Sequence, residues 1–248
     1  MIQAVWRTVT VLVALAASCS SGGGTVAARG ETPSGASWTA LTPDDATGTP
    51  VIYLHGATQH DDQIIDDENY PFVADLGERL VEAGHPVLAV DQGDTWGNAA
   101  ALAVISEAAD RFEVPVVVIG GSMGGGAALS WAAAEPERVA CVAGIVPVSD
   151  LRQIVADNPS NLAVSVEGAH PDGVSESNPL ELAEGGRLDG LRYRAWFGTD
   201  DEVVDPATVE AVAAAIGVTA SAVPVGGGHD TALDSIDVGD VVDFVEGC

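Results

Sequence analysis

Short runs of apolar residues alternate along this chain with longer stretches in which apolar residues recur every three or four positions. Uninterrupted apolar runs rich in valine are typical of strands that are buried on both faces of a sheet. They predict strands at residues 37–41, 51–54, 87–90, 116–119, 139–148, 191–197 and 220–225. Most of the intervening stretches are long enough for a helix, which favours a mainly parallel sheet.

The helical stretches carry stop signals as well as the expected periodicity. Phe72, Leu76 and Leu80 fall on one face of a helix at residues 71–83, and the glycine that follows supplies a stop. Further helices are predicted at residues 98–112, 127–134, 206–216 and 232–246. The chain is therefore predicted to be an α/β protein, with one mainly parallel sheet and helices on both of its faces.

One segment, residues 151–190, interrupts this alternation. It is rich in Asn, Pro, Gly and Ser, and it is too short to form a second domain. We expect a small cap or loop excursion over the sheet there. Residues 37–248 as a whole are predicted to form one domain around a single sheet.

The N-terminal residues have the composition of an export signal. Residues 1–18 contain a single charge and a short apolar stretch at residues 8–17, too short to span a bilayer. The sequence that ends in Cys19 resembles a bacterial lipobox, which implies a diacylated cysteine and a lipoprotein facing outside the cytoplasmic membrane. Plain secretion with cleavage near Ala17 is the alternative. Residues 19–36 are rich in Gly, Ser and Thr and are predicted to be a flexible tether.

The charge of the chain excludes several classes of partner. The sequence holds 37 acidic residues, 9 arginines and no lysine, for a formal net charge of −28. Binding to nucleic acid through a general basic surface is excluded, and so is adhesion to anionic lipid by charge. The lipid anchor is thus the expected route to a membrane. The sequence leaves the oligomeric state open.

An acidic stretch raises the question of a cation site. His60, Asp61 and Asp62 are followed closely by three more acidic residues, at positions 66–68. We interpret this stretch as a solvated acidic loop, and we expect neither a metal nor a cofactor.

Cys141 and Cys248 remain as a pair if Cys19 is lipidated, and a disulfide between them is one possibility that export permits.

The candidate chemistry is concentrated in residues 116–126. Four β-branched residues lead into Gly120-Gly121-Ser122-Met123-Gly124, and a helix-forming run follows. A serine on so sharp a strand-to-helix turn has a strained backbone and an exposed hydroxyl, the arrangement called a nucleophile elbow. The N–H of Met123, at the start of the helix, can then face a developing oxyanion.

A glycine-rich turn of this kind also occurs in phosphate-binding sites. A P-loop requires a lysine, which this chain lacks, and Met123 and Leu129 occupy positions where the dinucleotide pattern requires glycine.

A serine nucleophile needs a histidine base, and the histidine needs a carboxylate. His229 follows the last predicted strand in a loop of glycines, which suits the base. The carboxylate is expected after residues 191–197, where spacing alone leaves Asp200, Asp201 and Glu202 open.

Together these segments resemble the serine hydrolases of the α/β-hydrolase superfamily, in which serine, acid and histidine follow one another in this order. The stretch from Gly198 to Val204 resembles the family pattern G-x-x-D-x-V-V, which implies Asp201 as the acid. Tyr53-Leu54-His55-Gly56-Ala57 resembles the family's His-Gly motif. This implies an oxyanion hole made by the N–H groups of Ala57 and Met123, with His55 in a structural role.

The resemblance implies an esterase-like hydrolase that acts on a small or extended ester through an acyl-enzyme. An acyltransferase, a peptidase and a non-catalytic surface binding protein on the same fold are the alternatives. Trp96 and Gln59 are expected in the substrate pocket, although Trp96 at a helix start also suits simple packing. One position departs from the family: Gly121 stands where many lipases and polyester hydrolases carry His or Trp.

Overall fold

The structure is a computed structural model that describes residues 25–65, 70–157 and 161–248. The predicted signal peptide (residues 1–18), the lipidation site Cys19 and the first residues of the tether lie outside these ranges, so they stay predictions. In the described ranges, no helix combines the length and the apolar character that a membrane span requires.

Eight strands form one sheet in the order β1-β2-β4-β3-β5-β6-β7-β8. The strands are β1 (Val26–Glu31), β2 (Ser37–Thr42), β3 (Val51–Leu54), β4 (Val87–Val90), β5 (Val116–Gly121), β6 (Val139–Ile145), β7 (Tyr193–Gly198) and β8 (Ala220–Val225). Strand β2 pairs antiparallel with both β1 and β4, and all other neighbours pair in parallel. The carboxyl ends of β3 to β8 therefore meet at one edge of the sheet.

Helices cover both faces of this sheet, as the sequence predicted. They are α1 (Pro71–Glu82), α2 (Ala99–Ala109), α3 (Met123–Ala134), α4 (Leu151–Asp157), α5 (Asn161–Ala169), α6 (Pro179–Glu184), α7 (Pro206–Ile216) and α8 (Val238–Glu246). Leu76 of α1 and Val245 of α8 pack with Val117 on one face. Val118 belongs to the opposite face, where α2, α3 and α7 pack. Successive side chains of β5 therefore pack into two apolar layers, one on each face of the sheet.

Part of the predicted tether is a strand, so the prediction of a flexible segment is wrong for Val26–Glu31. This segment has little strand propensity of its own, but its backbone pairs with β2 along its whole length. Gly30 permits this pairing because a Cβ there would collide with the ring of Trp38. The ring of Trp38 is in turn covered by the guanidinium of Arg111, 4.2 Å from its centroid.

Several predicted elements end earlier or begin later than expected, and in two of them a single residue sets the boundary. The strand predicted at residues 139–148 ends at Ile145, because Val146 turns the chain with a φ of 44°. The helix predicted at residues 232–246 begins only at Val238. Asp237 precedes it as the N-cap and accepts a hydrogen bond from the N–H of Gly239 at 2.8 Å.

The segment at residues 151–190 contains the three helices α4, α5 and α6. Ile154 of α4 and Leu162 of α5 line a pocket at the carboxyl edge of the sheet, whereas α6 packs beside α3 and α7. The segment therefore combines a small cover over the site with a helix that extends one layer of the fold.

A disulfide joins Cys141, which is fully buried in β6, to Cys248, the last residue of the chain. The bond connects the segment that follows α8 to the centre of the sheet. It closes a large loop that contains β7, β8 and the helices α4 to α8.

Candidate active site

Ser122 lies at the apex of the turn between β5 and α3. Its φ of 47° and ψ of −115° place it in a region that non-glycine residues rarely adopt. The close approach depends on glycine: a Cβ on Gly120 would collide with the carbonyl oxygen of Gly124, and a Cβ on Gly124 with that of Leu54. The Ser122 N–H donates to the carbonyl of Ile145 at 2.9 Å, which fixes the strained turn to β6.

Three side chains from separate loops form one chain of hydrogen bonds. His229 Nε2 lies 2.9 Å from Ser122 Oγ, and His229 Nδ1 lies 2.8 Å from Asp201 Oδ2. With a proton on Nδ1, the ring donates to the carboxylate and accepts the serine hydroxyl proton at Nε2. This arrangement allows His229 to act as a general base toward Ser122.

The surroundings of Asp201 fix its orientation. Its side chain is almost fully buried, and its Oδ1 accepts the N–H groups of Val203 at 2.8 Å and Val204 at 2.9 Å. These contacts leave Oδ2 for His229. Asp200 and Glu202 are exposed to solvent. Of the three acids that spacing left open, the structure brings Asp201 to the histidine.

The loop after β3 lies directly beside Ser122. A Cβ built on Gly56 would lie 3.5 Å from the Cβ of Ser122. The N–H of Gly56 donates to Gln59 Oε1 at 2.9 Å. Among the described residues, neither the N–H of Ala57 nor that of Met123 has a hydrogen-bond partner. Two unpaired N–H groups beside a serine are suited to an oxyanion.

Residues after β4 hold this loop in place. His55 is buried and joins the carbonyl of Gly56 through Nδ1 at 2.7 Å and Asp91 Oδ1 through Nε2 at 3.1 Å. Gln92 Nε2 donates to the carbonyl of His55 at 2.9 Å, and Asp94 accepts the N–H of residue 58 at 2.8 Å. The local sequence does not indicate these roles for Asp91, Gln92 and Asp94. The adjacency of β3 and β4 in the sheet is the signal that could have indicated them.

The hydrogen bond from His55 holds the pKa of Asp91 well below its usual range, and the N–H of Gly93 acts in the same direction. Because the folded-state pKa is lowered, Asp91 stabilises the fold at pH values above about 4, and this contribution is lost as pH falls toward the folded-state pKa.

We expect Asp91→Asn to lower the urea midpoint at pH 7, and the difference in midpoint from wild type to narrow below pH 4. Asp172→Asn, an exposed control, should match wild type throughout. A gap independent of pH would contradict this role.

The acidic stretch that begins at His60 is only partly a solvated segment: His60 and Asp62 are exposed, whereas Asp61 is not. Asp61 is buried, and its carboxylate accepts the hydroxyls of Ser37 at 2.5 Å and Thr39 at 2.7 Å. His60 lies 3.2 Å from Asp91. The interpretation was wrong for Asp61 because its hydroxyl partners come from β2, which the local sequence does not reveal. Residues 66–68 lie outside the described residues.

Ser122 and His229 open into a pocket of about 170 Å³. Most of its lining is apolar and includes Val73, Ile145, Val148, Ile154, Leu162 and Leu233. No arginine belongs to the described lining. The pocket is thus suited to an uncharged, mainly apolar group.

Gln59 and Trp96, the two residues expected in the pocket, both line it. Gln59 also supports the loop after β3, because its Oε1 accepts the N–H of Gly56. Trp96 is 3% exposed, and its indole Nε1 donates to Ser165 Oγ of α5 at 2.8 Å. Trp96 therefore combines the packing role with a place in the pocket wall, and it connects the cover helix to the site.

The chain resembles known proteins by its structure and not by its sequence. No family model matches the sequence, and a search of curated proteins finds no match either. By structure, the chain is similar to the fluorophosphonate-binding serine hydrolase F of Staphylococcus aureus, with a TM-score of 0.72 and 14% identity over 90% of this chain and 98% of that chain. It is similar to the Pyrococcus furiosus esterase Pf2001, with a TM-score of 0.67 and 17% identity over 90% and 92%.

A further similar structure is a predicted CIB-like hydrolase from Thermoplasma acidophilum. Its TM-score is 0.65, with 17% identity over 91% of this chain and all of that chain. These identities are low, so the likeness establishes the fold. The chain has the α/β-hydrolase fold, as the sequence predicted.

Proposed function

We propose that this protein is a serine hydrolase that cleaves carboxylic esters through an acyl-enzyme. The observation that carries the proposal is the hydrogen-bonded chain from Ser122 through His229 to Asp201, which opens into an apolar pocket. The strained turn at Ser122 supports it, because such strain is concentrated at functional sites.

In the proposed reaction, His229 Nε2 takes the hydroxyl proton as Ser122 Oγ attacks the ester carbonyl carbon. The N–H groups of Ala57 and Met123 stabilise the negative charge that develops on the carbonyl oxygen. His229 then gives its proton to the alcohol oxygen, the C–O bond breaks, and the acyl group remains on Ser122. A water molecule, activated by His229, releases the acid, while Asp201 stabilises the imidazolium that forms in each half-reaction.

The apolar pocket favours an ester over a charged substrate. A polyanionic leaving group would lie in a pocket whose described lining holds no arginine, on a chain with a net charge of −28. Two of the structurally similar proteins are described as esterases or serine hydrolases, which supports the same chemistry here.

We expect the kcat/KM of the full chain for p-nitrophenyl esters to reach its maximum at a short acyl chain, well below palmitate. Each methylene that the pocket buries contributes about 0.8 kcal/mol, so kcat/KM should rise about fourfold per methylene until the pocket is full and then fall. Rates for acetate through palmitate would locate this maximum. A maximum at palmitate would contradict a pocket of about 170 Å³.

Asp201→Asn should lower kcat by about 10⁴-fold, because an asparagine holds the ring of His229 in the wrong tautomer. Asp200→Asn is the matched control, since the carboxylate of Asp200 is exposed and the ring of His229 bonds to Asp201. Both variants would be assayed on the best ester of the series. Equal losses in the two variants, or a larger loss in Asp200→Asn, would remove Asp201 from the mechanism.

We also propose that the protein is exported and anchored through a lipid on Cys19. The proposal rests on the sequence of residues 1–24 alone. Cell fractionation tests it, because Cys19→Ser should move the protein from the membrane to the medium or periplasm. Equal membrane retention of the variant would refute the anchor.

A further inference from the structure

The pocket contains a buried amide group that the proposed mechanism does not use. Gln63 lines the pocket and is 3% exposed. Its Oε1 accepts the hydroxyl of Tyr53 at 3.1 Å, and no described residue accepts a hydrogen bond from its Nε2. A buried donor without a partner destabilises the free protein. In a pocket wall, such a donor indicates a ligand that accepts a hydrogen bond from it.

The position of Gln63 is fixed from several sides. Asp61, two residues before Gln63, accepts hydrogen bonds from two hydroxyls of β2. The following residue, Ile64, is buried, and its carbonyl lies so close to Gly77 of α1 that a Cβ there would collide with it. The amide of Gln63 is therefore presented by a turn that is packed on both sides, as a preorganised donor requires.

The amide also lies close to the nucleophile. Tyr53, its partner, belongs to β3, and the Tyr53 hydroxyl is 3.4 Å from the point that a Cβ on Gly121 would occupy. Gly121 immediately precedes Ser122. The glycine at this position, where the sequence departs from many lipases, leaves the Tyr53 hydroxyl and the Gln63 amide next to the elbow.

The sheet order indicates which part of the substrate meets Gln63. His229 follows β8 and protonates the leaving alcohol, so the alcohol lies on the β8 side of Ser122. Gln63 follows β3, which neighbours β5 on the opposite side. The acyl group is thus the part of an ester that extends toward Gln63.

We propose that Gln63 is a specificity-determining residue whose Nε2 donates a hydrogen bond to an oxygen atom carried by the acyl group. This inference rests on the proposed esterase function. The preferred substrates are esters of oxygen-bearing acids, such as alkoxy, hydroxy or keto acids. A plain alkyl chain fits the apolar walls of the pocket but leaves the donor unpaired.

The test uses pairs of p-nitrophenyl esters in which one methylene of the acyl chain is replaced by oxygen. Methoxyacetate is paired with butanoate, 3-methoxypropanoate with pentanoate and 4-methoxybutanoate with hexanoate. For each pair, the ratio of kcat/KM is measured in the full-length wild type, Gln63→Met and Tyr53→Phe. The intrinsic reactivity of each ester cancels when the ratios of two proteins are compared. Gln153→Met, a glutamine outside the pocket lining, is the matched control.

In at least one pair, the oxygen-to-methylene ratio should be about 5- to 10-fold higher in wild type than in Gln63→Met, the effect of one hydrogen bond. Tyr53→Phe should lower the same ratio by a smaller factor, because the amide loses its anchor, and Gln153→Met should keep it. Equal ratios in wild type and both pocket variants, with all esters hydrolysed, would overturn the role of Gln63 alone. Absence of hydrolysis of every ester by wild type would overturn the esterase function and this inference together.

Discussion

Ser122→Ala should lower kcat for the best p-nitrophenyl ester by about 10⁴-fold or more, with little change in stability. Loss of a serine nucleophile removes the acyl-enzyme route entirely, and losses of up to about 10⁶-fold occur in comparable enzymes. The alanine should also leave the packing of the turn unchanged. The close approach of strand and helix depends on Gly120 and Gly124, which the variant keeps. Initial rates and a thermal melt of the same samples measure both effects.

Ser34→Ala is the matched control for this prediction, because Ser34 is an exposed serine in the turn between β1 and β2 and does not line the pocket. It should retain the wild-type rate. His229→Ala should resemble Ser122→Ala, and the double variant should lose little more, because the two residues act as one unit. Independent, additive losses would contradict the shared mechanism.

Cys248→Ser should lower the free energy of unfolding by about 2–5 kcal/mol. In the oxidised wild type, the bond to Cys141 restricts the unfolded chain across a sequence separation of 107 residues. It also holds the residues after α8 against the sheet. Urea denaturation at fixed pH, with circular dichroism as the signal, measures the change.

Reductant provides the control for the disulfide. Reduction should bring wild type to the stability of Cys248→Ser, and it should leave the variant unchanged. Two free thiols in the exported wild type would show that the bond does not form. Equal stability of wild type and variant would show that it does not stabilise the fold.

The sequence predicted the sheet, the elbow and the histidine because these features are local. Valine-rich runs, the glycines around Ser122 and the glycine loop before His229 each have a short-range physical cause. The boundaries that were missed depend on single residues: Val146 ends β6 by a change in φ, and Asp237 starts α8 by capping it.

The parts that the sequence could not predict depend on contacts between distant segments. Strand β1 exists through its pairing with β2, and Asp61 is buried because hydroxyls of β2 meet it. Spacing alone left Asp201 open beside its two acidic neighbours, and only the family resemblance implied it; the contact of its carboxylate with His229 is a contact between distant segments. That no described residue accepts a hydrogen bond from Gln63 Nε2 can be seen only from the folded pocket.

The most direct test of the central claim is covalent labelling with a fluorophosphonate, followed by intact mass measurement and peptide mapping. This probe reacts with a serine that a base activates, whatever the natural substrate. We predict one adduct per chain, located on Ser122, that is absent from Ser122→Ala and strongly reduced in His229→Ala. An unlabelled wild-type chain, or an adduct on another residue, would contradict the assignment of Ser122 as an activated nucleophile and favour a non-catalytic binding protein on this fold.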